Sequence, residues 1–230
     1  MTGKLIIIEA GDGSGKATQT AKLYSRLAAE KFPVRQVSFP NYDSPSSALL
    51  KMYLQGQFGT EPDAVNAYAA SAFFAVDRYA SFKTDWGEWY SQGGIILADR
   101  YTTSNMVHQA VKITDQHERT AFLNWLWDFE FVKFGLPVPD LVLFLDVPPV
   151  CSAALLAGRD SKDGSGQKDI HEQDSEYLQR CYDSYRHVAE LYGWRRIACM
   201  GETGLKSIDE IHEDVYQAVI SGLEDSGLER

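Results

Sequence analysis

Five short β-rich runs, at 5–8, 34–39, 95–98, 141–147 and 196–199, punctuate this chain and are separated by longer stretches with helical spacing. Most of them are near-continuous in hydrophobic residues, the pattern of strands buried on both faces. Strands of that kind joined through helices lie parallel, with helices above and below. The pattern therefore predicts a three-layer α/β fold built on a parallel sheet of about five strands. No internal repeat interrupts it. One stretch is purely polar: 159–168, Arg-Asp-Ser-Lys-Asp-Gly-Ser-Gly-Gln-Lys, between two helical segments. Its composition reads as a solvated surface loop, and its three cations, Arg159, Lys162 and Lys168, equally suit a cover over phosphates.

The first apolar run passes straight into Gly11-Asp12-Gly13-Ser14-Gly15-Lys16, and a helix is predicted over 17–29. Glycines let the backbone turn so that successive N–H groups converge, and the following helix points its positive end at the same place. Such a concavity suits a phosphate, and Lys16 adds a mobile charge able to follow the β- and γ-phosphates of a nucleotide. Compared with the usual phosphate-loop pattern, Ala10 replaces the first glycine and Ala17 replaces the hydroxyl residue that reaches a metal. Alanine fits the loop where φ stays negative but ligates nothing. Thr18 comes one position late. A strand, a glycine turn and a helix without a ligand is the alternative reading of these residues.

At 230 residues and 44% hydrophobic content, the chain is expected to form one domain over 1–230 around a well-buried core. It has no 18-residue apolar run, and its start reads as a strand instead of a signal peptide, so a cytoplasmic protein without membrane contact is expected. Cys151, Cys181 and Cys199 are odd in number and widely spaced, which suits buried thiols in a reducing compartment and no zinc site. A net charge of −10 argues against a general nucleic-acid surface. Any anion must then be held by local donors.

Ligands of parallel α/β sheets gather beyond the carboxyl ends of the strands. There the chain delivers the glycine loop, then Phe39-Pro40-Asn41-Tyr42, Asp99-Arg100-Tyr101 and Asp146. Charges placed directly after buried strands are costly unless paired or bound to something.

Taken together, the glycine loop, Phe-Pro after the second strand, Phe73-Phe74-Ala75-Val76-Asp77-Arg78, Asp99-Arg-Tyr-Thr-Thr-Ser-Asn105, Leu145-Asp-Val147 and Tyr192-Gly-Trp194 resemble the thymidylate kinases. The likeness spans nearly the whole chain. It implies a P-loop kinase fold, transfer of the γ-phosphoryl of ATP to dTMP, magnesium as cofactor and a homodimer packed through helices. It implies ATP contacts from Gly11, Asp12, Gly13, Ser14, Gly15, Lys16, Ala17 and Thr18. For dTMP it implies Asp12, Phe39, Pro40, Tyr42, Phe74, Arg78, Arg100, Asn105 and His108. Phe74 would stack on thymine, and Arg78, one turn later, would donate to a base carbonyl. Asn105 would pair with the pyrimidine edge. His108 stands where many family members carry a tyrosine against the sugar 2′ position.

The resemblance also assigns catalysis to Lys16, Arg100, Asp12 and a lid at about 157–173. The loop lacks arginine, so the lid would supply the transition-state cation, with Arg159 ranked before Lys162 and Lys168. Asp12, Asp99 and Glu172 are the expected metal ligands. A kinase for another nucleoside monophosphate or a deoxynucleoside, and a silent nucleotide-binding protein, remain as other readings.

Overall fold

The computed structural model describes residues 2–157 and 175–225. Strands β1 (Lys4–Glu9), β2 (Val34–Ser38), β3 (Ile95–Asp99), β4 (Leu141–Asp146) and β5 (Arg195–Ala198) form one parallel sheet in the order β2-β3-β1-β4-β5. This is the expected five-stranded sheet. Beyond expectation, a small antiparallel hairpin, β6 (Met200–Gly201) with β7 (Gly204–Leu205), follows β5. The α-helices are α1 (Lys16–Ala29), α2 (Ala48–Leu54), α3 (Ala67–Ser81), α4 (Gly87–Ser91), α5 (Thr102–His108), α6 (Gln116–Trp127), α7 (Pro149–Ala157), α8 (Ser175–Leu191) and α9 (Ile208–Asp225). π-helical turns at Phe82–Trp86 and Asp128–Lys133 extend α3 and α6.

Because successive strand residues point to opposite faces, the sheet divides its own side chains between two cores. Ile6, Ile8, Leu97, Leu143 and Leu145 pack with Leu23 and Leu27 of α1 and Val215 and Val219 of α9. Leu5, Ile7, Ile96, Ala98 and Phe144 pack with Val107 of α5, Phe122 and Leu126 of α6, and Tyr177, Cys181 and Tyr185 of α8. The helical members of each set recur at i and i+4, the spacing of one helix face. Each fully buried leucine contributes roughly 1.5–3 kcal/mol, so this packing is what keeps the helices on the sheet. Among the described residues no helix is long and apolar enough to cross a membrane. Cys181 and Cys199 are buried, Cys151 is half-buried, and all three are free thiols.

Strand order decides where a ligand can enter. The chain leaves β1 toward β2 at one edge and leaves β3 toward β4 on the other side of β1. The connections diverge between β1 and β3, which opens a crevice at their carboxyl ends. Ile8 pairs in register with Asp99, so Glu9 to Lys16 and Asp99 to Tyr101 face each other across it.

Candidate functional site

Gly13 (φ 75°) and Gly15 (φ 81°) adopt the left-handed conformation that only glycine takes without penalty. Gly15 caps α1 without a side-chain hydrogen bond, and no acidic residue follows in the first turn. The first-turn N–H groups and the helix dipole are thus directed at the loop's mouth. Ala10 lies outside the left-handed region and is fully buried among the strand aliphatics, so the missing glycine costs the loop nothing. Ala17 is exposed and Thr18 half-buried on α1.

Two ion pairs span the crevice. Lys16 Nζ sits 2.8 Å from Asp99 Oδ1, and Arg100 Nη2 pairs closely with Asp12 Oδ1. Burial opposes the charge on Arg100, but Asp12, Tyr185, Glu9 and Asp99 outweigh it and hold the guanidinium well above the usual arginine range. Arg100 takes φ 67°, a conformation costing a non-glycine residue about 1 kcal/mol, which its contacts stabilise. Beneath it lies Glu9, fully buried, whose carboxylate accepts from Thr103 Oγ1 (2.6 Å), Ser104 Oγ (2.8 and 2.9 Å) and Tyr185 OH (3.0 Å). Burial first, and Glu9 second, push the Tyr185 phenol well above its ordinary value.

Beside the pairs opens a pocket lined by Asp12, Pro40, Tyr42, Leu54, Phe74, Arg100, Ser104, Asn105, His108 and Gln109. Asn66 caps α3 by accepting from Ala69 N–H, and α3 carries Phe74 into the wall, edge-on to Tyr53 at 6.4 Å. The loop bearing Pro40 and Tyr42 is pinned by buried Asp77 of α3. Its carboxylate accepts from Asn41 N–H (2.8 Å) and Ser46 Oγ (2.7 Å). Asn105 Nδ2 donates to Ser71 O at 3.4 Å. Gln109 Oε1 is buried with no hydrogen-bond partner among the described residues, an acceptor that burial makes costly unless a ligand fills it.

Most residues expected to touch the acceptor therefore meet here, with two departures. Arg78, expected beside Phe74 at the base, is buried away from the pocket lining. Its Nε and Nη2 donate to Glu130 Oε2 and Oε1 at 2.6 and 2.5 Å, and Nη1 reaches Tyr101 O at 3.4 Å. A residue four positions after Phe74 shares its side of the helix, but a carboxylate from the α6 extension draws the guanidinium inward. Phe39 likewise belongs to the core, 5.9 Å from the Tyr101 ring, and Pro40 lines the pocket instead. The Phe39–Pro40 peptide is cis. Arg159, Lys162, Lys168 and Glu172, with the lid at 157–173 beyond Ala157, lie outside the described residues.

Glu9, Asp77, Gln109 and Glu130 did not emerge from sequence reasoning. Glu9 could have been found as a carboxylate directly after the apolar run Leu5 to Ile8. Glu130 carries no local signal. Among the described residues no cluster of three or more His, Cys, Asp or Glu could hold a metal by itself. Asp12 and Asp99 do place hard carboxylate oxygens beside the phosphate loop, a donor set that suits magnesium completed by phosphates and water.

The family model described as thymidylate kinase matches residues 8–215. A thymidylate kinase of Mycobacterium tuberculosis (strain ATCC 25618 / H37Rv) is 33% identical over 193 residues, covering 83% of this chain and 87% of that one. The thymidylate kinase of Homo sapiens is 28% identical over 215 residues, 93% and 88% of the two chains. A solved structure of thymidylate kinase from Candida albicans superposes with a TM-score of 0.69 at 22% identity, covering 96% of this chain and 92% of that one, which speaks to the fold alone.

Proposed function

From the premise that the chain belongs to the thymidylate kinase family, we propose how its own residues transfer the γ-phosphoryl of ATP to dTMP. The observation that carries this reading is the crevice itself, where two cations, each held by a carboxylate, stand beside a phosphate loop and a pocket that joins an aromatic wall, Phe74, to the amides of Asn105 and Gln109. The N–H groups of the loop and the start of α1 take the donor phosphates, and Lys16 leaves Asp99 to follow the γ-phosphoryl. Arg100 exchanges Asp12 for the acceptor phosphate, reducing the repulsion between two anionic nucleotides as the phosphate oxygen attacks. That oxygen is already nucleophilic at neutral pH, so no general base is needed.

Thymine rests on Phe74. Its edge offers a donor and an acceptor together, and the amides of Asn105 and Gln109 match both. Asp12 and Asp99 would hold magnesium, with Glu172 as a further candidate. Bound there, magnesium would supply charge neutralisation to the nucleotide phosphates. Arg159, then Lys162 and Lys168, supplies the cation at the transferring group.

Coupled ADP release measured with a panel of nucleoside monophosphates tests the activity: release is expected to depend on dTMP, and none with dTMP would refute it. Gln109→Ala and Asn105→Ala are each expected to weaken dTMP by about 1–3 kcal/mol and leave ATP unchanged. Calorimetry showing equal losses for both nucleotides would remove these amides from the base.

Tyr68, Val76 and Tyr79 expose apolar surface along one side of α3. This supports a homodimer packed through helices. Sedimentation is expected to show a dimer that Val76→Asp converts to monomer, and an unshifted coefficient would move the interface elsewhere. Three free thiols suit the reducing cytoplasm.

A further inference from the structure

We infer that His108 is a positioning residue for Arg100, holding the guanidinium at the pocket through a bare Nε2 while its Nδ1 turns to Cys181 of helix α8. The inference rests on the assignment of Arg100 to the acceptor phosphate. Arg100 Nη1 lies 3.2 Å from His108 Nε2, 3.2 Å from Ser104 Oγ and 3.3 Å from Tyr185 OH. A guanidinium nitrogen only donates, so Nε2 must present its lone pair, and the ring proton belongs on Nδ1.

The surroundings of Nδ1 agree with that requirement. Cys181 Sγ lies 3.4 Å from it, and burial pushes this thiol up to about 12, so the sulfur stays a neutral thiol able to accept a hydrogen bond from the Nδ1 proton that the Arg100 contact requires. Tyr177 OH donates to the carbonyl of His108 at 2.8 Å and anchors the end of α5. Tyr177, Cys181 and Tyr185 recur at i, i+4 and i+8 on the buried face of α8. Arg100 is thus tied to α8 twice, directly through Tyr185 and indirectly through His108. With its Nη1 edge held by neutral acceptors, the Nη2 edge is the one presented to Asp12 and hence to a phosphate that replaces it. Tyr185 OH, 3.1 Å from Nε2, already donates to Glu9 and leaves the lone pair to Arg100.

The experiment has a spectroscopic and a kinetic arm. Long-range 1H–15N spectra of the folded protein are expected to show His108 with Nδ1 protonated and Nε2 bare. The Nε2–H tautomer would overturn the inference. In steady-state assays His108→Phe is expected to raise the KM for dTMP about tenfold, with the KM for ATP within about twofold, as the loss of a hydrogen bond to a charged group predicts. His108→Gln, whose amide oxygen can accept where Nε2 does, is expected to restore the dTMP KM to within about threefold of the parent. Equal rises in both KM values, or no rescue by glutamine, would mean that His108 only fills space. Arg100→Ala separates the two levels. Should it leave the dTMP KM unchanged, the acceptor-phosphate assignment itself fails. Should it be severe while His108→Phe is silent, only the positioning role fails. If His108→Phe does not fold, the tautomer and the glutamine variant decide.

Discussion

Lys16→Ala is expected to lower turnover by about 10²–10³-fold while the protein stays folded, the loss typical of removing one preorganised donor from a developing charge. The ε-ammonium stands 2.8 Å from Asp99 at the mouth of the loop, with both side chains 12% exposed, poised between that carboxylate and the place a γ-phosphoryl would occupy. Its contact tightens as charge moves onto the transferring group, so kcat falls more than the KM for ATP rises. The loop itself does not depend on the lysine: Gly13 and Gly15 set its turn, and Ala10 anchors it in the core. Asp99 Oδ1 loses its ion-pair partner in a buried position, so a modest drop in thermal midpoint accompanies the loss of turnover. Turnover measured beside the thermal midpoint checks both halves. A variant retaining more than about a tenth of parental turnover would show that the donor phosphates bind elsewhere.

The second large effect concerns stability. Glu130→Ala is expected to reduce the unfolding free energy by about 3–5 kcal/mol, because it strands the Arg78 guanidinium in a buried site. Arg78 and Glu130 share two hydrogen bonds at 2.6 and 2.5 Å, Thr102 Oγ1 donates to the same carboxylate at 2.7 Å, and neither charged residue has more than 1% of its surface exposed. Replacing both members with apolar residues of similar volume, Arg78→Met with Glu130→Leu, is expected to recover most of the loss, since neither charge is then left alone. Denaturant unfolding reads these differences. A midpoint unchanged by Glu130→Ala would mean that Arg78 finds another partner, the pocket and its base included.

Phe74 and Arg78 show where sequence reading ends. Their i, i+4 spacing places both on one side of α3, and for Phe74 that is sufficient, since it lines the pocket. For Arg78 it is not, because Glu130 arrives from 52 residues away and draws the guanidinium inward. Glu9 behaves similarly: its partners Thr103, Ser104 and Tyr185 lie 94 to 176 residues along the chain. Gln109 adjoins His108 in sequence, yet its Oε1, without a hydrogen-bond partner among the described residues, matters only once α5 and its continuation close the pocket.

What the sequence determined by itself is the local conformation and its consequences. Consecutive apolar residues mark strands buried on both faces, glycines at 13 and 15 mark left-handed turns, and charges directly after strands mark the open end of the sheet. These follow from backbone sterics and the cost of burying polar groups, which act within a few residues. Tertiary structure alone decided which charges meet: Lys16 with Asp99, Arg100 with Asp12, Arg78 with Glu130, and His108 between Arg100 and Cys181. A long polar side chain reaches several partners at once, and the packing of remote elements selects among them, because in a low-dielectric interior the arrangement that satisfies every donor and acceptor is strongly favoured.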